Sequence, residues 1–497
     1  MTEDRGDAPA ARLTSGVPGL DAVLRGGFLR GGVYMVRGAP GTGKTTLGHQ
    51  VCFAHVRGGG RALYATLLAE GHARMMLHLR GMGFYDAAAV PDRLYYVSAF
   101  RTLEEEGLRG LVALMRREAA RLGAGVAVLD GLVAAALAAR DDNEFRRFVH
   151  DLQAVAGATG CTVLLLTSAG GGDPAAVTPE QTMVDGIVEL TRLPREALTQ
   201  RRLEVAKFRG SDHLDGRHGL RITGDGLVVD PRFEAIYGDP PEEDPDGGRV
   251  GTGVADLDAA LRGGLPAATS TLVVGPSGAG KTALGLHFLA ASSAEEPGLL
   301  FGFYETPPRL RAKARALGLD LERHLEEGRL ELLWQAPTER QLDALGHRLV
   351  EAVRHAGARR VVVDGVGGFE EGTAEPERLK RFFAALANEL RARGATTLFT
   401  VELPRLFGPE VDLPMTGVSA VAENMVLLRL AELGGRLTRT LAVLKVRDSD
   451  FDPSLMRFAI GAAGIALEPG AFEGAEQVVT GLARRDPGGG GGGPGGR

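Results

Sequence analysis

The sequence predicts an α/β protein made of two tandem copies of one domain, each a mainly parallel sheet flanked by helices. Three observations carry this prediction. The chain has 497 residues, more than one domain usually holds. It repeats itself: SGVPGLDAVLRGG from Ser15 returns as TGVADLDAALRGG from Thr252, with Asp21 and Asp258, like Lys44 and Lys281, 237 residues apart. Glu70 and Glu305, Asp130 and Asp364, and Lys207 and Lys445 hold nearly the same separation. Finally, short apolar runs alternate with segments of helical periodicity, the pattern of a buried parallel sheet covered on both faces.

In chain order, residues 1–12 are expected to be a flexible N-terminus, and 13–237 the first domain. Its predicted buried strands are Gly32–Arg37, Arg61–Leu68, Val126–Asp130 and Thr162–Thr167. Helical spacing runs through Leu108, Leu111, Met115 and Leu122, and again through Phe145, Phe148, Leu152 and Val155. Residues 238–249, GDPPEEDPDGGR, have nothing apolar to bury and read as an acidic linker. The second domain, 250–483, repeats the strands at Thr271–Val274, Leu299–Tyr304, Arg360–Asp364 and Thr396–Val401, and a helix through Leu379, Phe382, Phe383, Leu386 and Leu390. Residues 484–497 are a glycine-rich tail expected to be disordered.

Composition narrows the function classes. A net charge of −6 gives no global basic footprint for nucleic acid or an anionic membrane. Two cysteines, Cys52 and Cys161, cannot form a disulfide framework or a protein-only zinc site, and both lie in apolar runs as core residues. The first residues lack a signal-peptide core, and the most apolar stretch, Ala154–Gly172, is interrupted by glycines, threonines and a serine, so a soluble cytoplasmic protein is expected.

Each copy carries G-x-x-x-x-G-K-[ST] after a predicted strand and before a helix: Gly38, Ala39, Pro40, Gly41, Thr42, Gly43, Lys44, Thr45 and Thr46, then Gly275, Pro276, Ser277, Gly278, Ala279, Gly280, Lys281, Thr282 and Ala283. The glycines let backbone N–H groups turn toward ATP phosphates, the lysine adds a point charge, and Thr45 or Thr282 is suited to ligate Mg²⁺. Asp130 and Asp364 end apolar strands and can complete the magnesium site. Glu70 and Glu305, after the next strand, are candidates to activate the attacking water. Lys207 with Arg209, and Lys445 with Arg447, stand two apart, so on a strand each pair aims its cations one way. A neighbouring subunit's nucleotide phosphate would relieve their repulsion; a solvated edge strand is the alternative reading.

These motifs together resemble the KaiC family within the RecA-type P-loop ATPases, from about Leu13 to Glu468. The specific parts are TSGVPGLD…GG at Thr14–Gly27 with its repeat at Gly251–Gly264, the two phosphate loops and the K-x-R pairs. The resemblance implies tandem RecA-like domains in a homo-oligomeric, hexameric double ring, ATP hydrolysed at subunit interfaces, regulatory protein partners and serine/threonine autokinase activity. It assigns Lys207, Arg209, Lys445 and Arg447 to the adjacent subunit's ATP. Two departures stand out: the family's first of two consecutive glutamates is Ala69 in one copy and Tyr304 in the other, leaving Glu70 and Glu305. At the family's phosphosite pair the second copy has Ser419 followed by Ala420, whereas the first has Thr182, making Thr182 and Ser419 the candidate phosphosites. Two other readings stay open. One is a DNA-dependent RecA- or DnaB-like ATPase, although Ser168–Glu180 has no Lys or Arg and nucleic acid is not an expected partner. The other is a nucleotide-gated scaffold with negligible hydrolysis.

Overall fold

The computed structural model describes residues 11–67, 72–168, 182–195, 198–238, 248–336, 341–373, 375–405, 422–433 and 436–472. They fall into two compact units that divide between Ile236 and Tyr237.

The first unit opens with a short clasp, β1 (Arg12–Leu13) paired with β2 (Phe28–Leu29). Its sheet then uses β3 (Val33–Gly38), β4 (Ala62–Thr66), β5 (Leu94–Ser98), β6 (Val126–Asp130), β7 (Thr162–Ser168), β8 (Gly186–Arg195), β9 (Leu198–Phe208), β10 (Arg217–Thr223) and β11 (Gly226–Asp230). The spatial order is β5-β4-β6-β7-β3-β8-β9-β10-β11, parallel from β5 to β8 and antiparallel beyond. Alternation along the strands feeds two cores. Val126 and Val128 of β6 join Leu47 and Val51 of the helix Lys44–Arg57 on one face. Ala127 and Leu129 join Leu111 and Met115 of the helix Phe100–Leu122, and Phe148 and Leu152 of the helix Asp142–Thr159, on the other. Cys52 and Cys161 are free and buried, as their apolar neighbourhoods predict.

The second unit repeats the plan. A clasp of β12 (Arg249–Val250) and β13 (Leu265–Pro266) precedes β14 (Ser270–Gly275), β15 (Gly298–Gly302), β16 (Leu330–Trp334), β17 (Arg360–Asp364), β18 (Thr396–Glu402), β19 (Asn424–Leu433), β20 (Arg436–Lys445), β21 (Met456–Gly461) and β22 (Gly464–Glu468). Their order, β16-β15-β17-β18-β14-β19-β20-β21-β22, is that of the first sheet strand for strand.

The repeated opening motif is a structural lock. Asp21 Oδ1 accepts the Ser15 N–H at 2.9 Å, and Asp258 Oδ1 accepts that of Thr252 at 2.6 Å. Gly27 and Gly264 lie at φ of +101° and +109°, where a Cβ would come within 2.3 Å of Leu13 O and 2.5 Å of Val250 O. Arg12 donates to the carbonyls of Leu24 and Gly27, and Arg249 to those of Leu261 and Gly264. These two arginines, expected in the flexible N-terminus and the linker, are therefore first members of the folded units. Of the other expected linker residues, 239–247 lie outside the described residues, as does the tail 484–497.

Among the described residues, no helix is long and apolar enough to cross a membrane. The expected strand Leu299–Tyr304 is shifted: β15 ends at Gly302, which pairs with Asp364, so Tyr304 and Glu305 lie beyond the sheet.

Candidate active sites

In both domains the sheet delivers a glycine loop directly into a helix. Gly38 ends β3 and Gly275 ends β14, each too close to a neighbouring strand for a side chain: a Cβ would meet Leu190 O at 2.4 Å or Leu428 O at 2.7 Å. Gly43 and Gly280 cap the helices Lys44–Arg57 and Lys281–Ala290 at φ of +108° and +110°. Their bare Cα atoms face the last hairpin of the same domain. A Cβ on Gly43 would lie 3.1 Å from Leu227 and 3.3 Å from Ile222, and one on Gly280 would lie 2.7 Å from Phe458 and 2.9 Å from Ile460. Pro40, Thr46, Ser277 and Ala283 occupy their expected loop or helix places, and the loops are braced internally, with Thr42 Oγ1 donating to Ala39 O at 2.9 Å and Ala279 N to Pro276 O at 3.2 Å.

Lys44 Nζ donates to Gly38 O (2.7 Å) and Ala39 O (3.0 Å), and Lys281 Nζ to Gly275 O (2.8 Å) and Pro276 O (2.9 Å). Each ammonium thus hangs over the loop from the first helical turn. Burial lowers the pKa of both lysines, opposed by Asp130 at Lys44 and by Glu402 and Asp364 at Lys281. Further cations approach the loops from β8 and β20, a contribution that loop spacing alone did not suggest. Arg439 on β20 donates to Gly278 O at 3.1 Å, and a Cβ on Gly41 would lie 3.6 Å from the Arg192 guanidinium on β8.

The threonine and aspartate of each expected metal site meet. Thr45 Oγ1 donates to Asp130 Oδ2 at 3.0 Å, and Thr282 Oγ1 to Asp364 Oδ2 at 3.0 Å. Burial raises the pKa of both aspartates, against hydrogen bonds from Tyr64 and Thr45 at Asp130 and from Thr400 and Thr282 at Asp364. A hydroxyl and a carboxylate are hard oxygen ligands suited to Mg²⁺, which takes one or two protein groups and completes its shell with phosphate and water. Among the described residues there is no group of three or more His, Cys, Asp or Glu side chains that could hold a metal ion.

Beneath the first site, the His49 ring bonds Thr45 O at 2.7 Å and stacks on Tyr64 with centroids 3.9 Å apart. Burial pushes its pKa down to about 4. The unfolded chain takes up this proton near pH 6.5 but the folded domain does so only near pH 4, so folding stability is lost as pH falls through that window. We expect the first domain to lose ~1.4 kcal/mol per pH unit there, and His49→Leu, the residue at the matching position 286, to flatten the slope. The chain's two cysteines are both buried in this domain, so their labelling by an acid-tolerant disulfide reagent reports its opening at pH 7 and pH 5. Equal slopes in both proteins would contradict the assignment.

Glu305 lies close enough to Asp364 for its charge to oppose ionisation there, and forms an ion pair with Lys313 of the helix Pro307–Ala316. Tyr304, at the position of a family glutamate, instead lies over the turn after Asp364: a Cβ on Gly365 would come within 2.5 Å of its ring. Its hydroxyl lies 3.4 Å from Glu371, and burial followed by that carboxylate pushes its pKa up to about 12. Glu402 ends β18 with an oxygen 3.9 Å from Lys281 Nζ, a second acid at this site that only the strand register reveals. Glu70 and Ser419 fall outside the described residues.

The basic pairs lie at the other end of the sheet. Lys207 stands opposite Ile187, and Ile187 opposite Met35, whereas the loop begins at Gly38 opposite Leu190. Lys207 Nζ and Arg209 Nη2 both donate to Thr182 O, at 2.9 and 2.8 Å, bringing the two cations and the exposed Thr182 together. The strands are shorter than expected: β9 ends at Phe208 and β20 at Lys445, so each arginine lies beyond its strand. In the second domain the two have different partners, with Lys445 donating to Ala422 O at 2.9 Å and Arg447 lying 3.5 Å from Asp448.

A strand-order duplicate with a glycine loop, lysine, threonine and strand-end aspartate in each half defines a tandem P-loop ATPase of RecA-like architecture. A family model described as "ATPase: KaiC" matches residues 13–234 and 250–471, and the chain belongs to that family. It is 24% identical to the circadian clock protein KaiC3 of Synechocystis over 473 residues, 92% of this chain and 91% of the relative. It is 22% identical to the circadian clock oscillator protein KaiC of Picosynechococcus over 94% of this chain and 92% of the relative, and 34% identical over 232 residues to that of Synechococcus elongatus, 44% of each chain.

Proposed function

We propose that this KaiC-family ATPase is a self-assembling ring protein, a hexamer in the cytoplasm, that hydrolyses Mg·ATP at its subunit interfaces to drive a timing or signalling cycle with regulatory protein partners. The supporting observation is the recurrence of Lys, Thr and Asp geometry in both domains, with the basic pair of the first domain turned away from its own phosphate loop. In this reading Thr45 with Asp130, and Thr282 with Asp364, would hold magnesium, which would neutralise charge on the β- and γ-phosphates. Lys44 and Lys281 move from loop carbonyls to phosphate oxygens. Glu70 and Glu305 accept a proton from the attacking water, while Lys207, Arg209, Lys445 and Arg447 reach across to the neighbour's nucleotide. Thr182, held beside two cations, is the favoured autokinase target, with Ser419 its counterpart in the second domain.

The test incubates wild type, Lys44→Ala, Lys281→Ala and the double variant with γ-labelled ATP, following free phosphate, label on protein and oligomer size in the same samples. Each single variant should lose one site's turnover, and the double variant should fall to background. Equal phosphate release by wild type and double variant would sink the reading. Tight nucleotide binding without turnover would restore the scaffold reading, and salt-sensitive stimulation by single-stranded DNA the DNA-dependent one.

A further inference from the structure

The strand-end aspartate is oriented by a different partner in each domain. In the first, the buried Tyr64 of β4 donates from Oη to Asp130 Oδ2 at 2.8 Å. On the other side of β6, the residue of β7 paired with Asp130 is Leu166, which offers no hydrogen bond from its side chain. In the second domain the arrangement is reversed. Thr400 of β18 donates to Asp364 Oδ1 at 2.7 Å and accepts the Gly365 N–H at 2.8 Å. The β15 residue matching Tyr64, two before the partner of the aspartate, is the apolar Leu300.

We infer that Tyr64 and Thr400 are positioning residues for metal binding, doing one job from opposite neighbouring strands. The inference rests on the magnesium reading above. An ionised carboxylate only accepts hydrogen bonds, and a buried one with a single donor can rotate among several orientations. In the first domain Tyr64 and Thr45 both donate to Oδ2, which fixes the carboxylate plane. In the second, Thr400 fixes Oδ1 and ties it to the turn that follows, while Thr282 reaches both oxygens at 3.3 and 3.0 Å. Removing such a partner behind a metal ligand typically weakens metal affinity about 10–100-fold. The donor is therefore portable: what matters is one proton aimed at the carboxylate, from either flanking strand.

The experiment uses the full chain, with Lys281→Ala isolating the first site and Lys44→Ala the second, and follows Mn²⁺ binding by electron paramagnetic resonance in the presence of a non-hydrolysable ATP analogue. Tyr64→Phe should weaken Mn²⁺ binding at the first site at least about tenfold while leaving metal-free nucleotide affinity unchanged. Adding Leu166→Thr to Tyr64→Phe should recover part of the loss. At the second site, Thr400→Val should weaken Mn²⁺ binding and Thr400→Ser should retain it. Asp130→Ala and Asp364→Ala separate the two levels of the argument. If they too bind Mn²⁺ as wild type does, the metal reading fails and this inference with it. If they lose it while Tyr64→Phe and Thr400→Val match wild type, only the positioning role is overturned.

Discussion

Glutamine at position 305 is expected to slow phosphate release by the second domain about 10²–10⁴-fold, the range for removing a general base. The substitution keeps the shape and hydrogen-bonding reach of the side chain but removes its ability to accept a proton. Glu305 is the described acid of the expected catalytic pair, its charge is felt at Asp364, and its family neighbour is replaced by a tyrosine whose hydroxyl lies beside Glu371. The measurement belongs in a Lys44→Ala background, where only the second site turns over, with nucleotide affinity checked in parallel. Unchanged turnover would move the role to another acid of the site, with Glu402 beside Lys281 the first to examine.

Removing Lys207 and Arg209 together should cost the first domain about 10³-fold or more in hydrolysis, the scale of a cation supplied to phosphoryl transfer from outside the site. Their position makes this prediction specific. They meet at Thr182 O, just before β8 begins, whereas the loop begins beside Leu190 near the middle of that strand, so in the proposed reading the phosphate they serve belongs to another subunit. Mixing a Lys207→Ala/Arg209→Ala chain with a Lys44→Ala chain, both in a Lys281→Ala background, should therefore regain activity through interfaces that pair intact halves. No regain from mixed rings would argue for action within one subunit or for a purely structural bond to Thr182.

Much of this architecture was legible in the sequence. The strands β6 and β17 are legible to the residue, because the apolar runs Val126–Leu129, between Gly125 and Asp130, and Val361–Val363, between Arg360 and Asp364, admit few other readings. The helical run from Leu108 was also correct, but it is the second segment of a longer helix broken at Gly107, whose φ of +67° the periodicity conceals. The edge strands β5 and β16 were missed: both are half-exposed, and such alternation is weak evidence over five residues. The threonine and aspartate that meet in each domain could be paired from motif spacing, whereas Tyr64 and Thr400 could not be added to them. Their role depends on which strands flank β6 and β17, and that order is a property of the folded sheet.

The close approach of Leu227 and Ile222 to Gly43, and of Phe458 and Ile460 to Gly280, leaving little room for a side chain there, also bears on synthesis. Each phosphate loop is made early in its domain, yet is backed by the hairpin that leaves the ribosome last. The first loop therefore waits for β11 at Asp230 before its support is complete, while the second loop, from Gly275, has not yet been translated. The two phosphate loops consequently gain their support one after the other, and a newly made chain passes through a stage with its first loop backed and its second still absent.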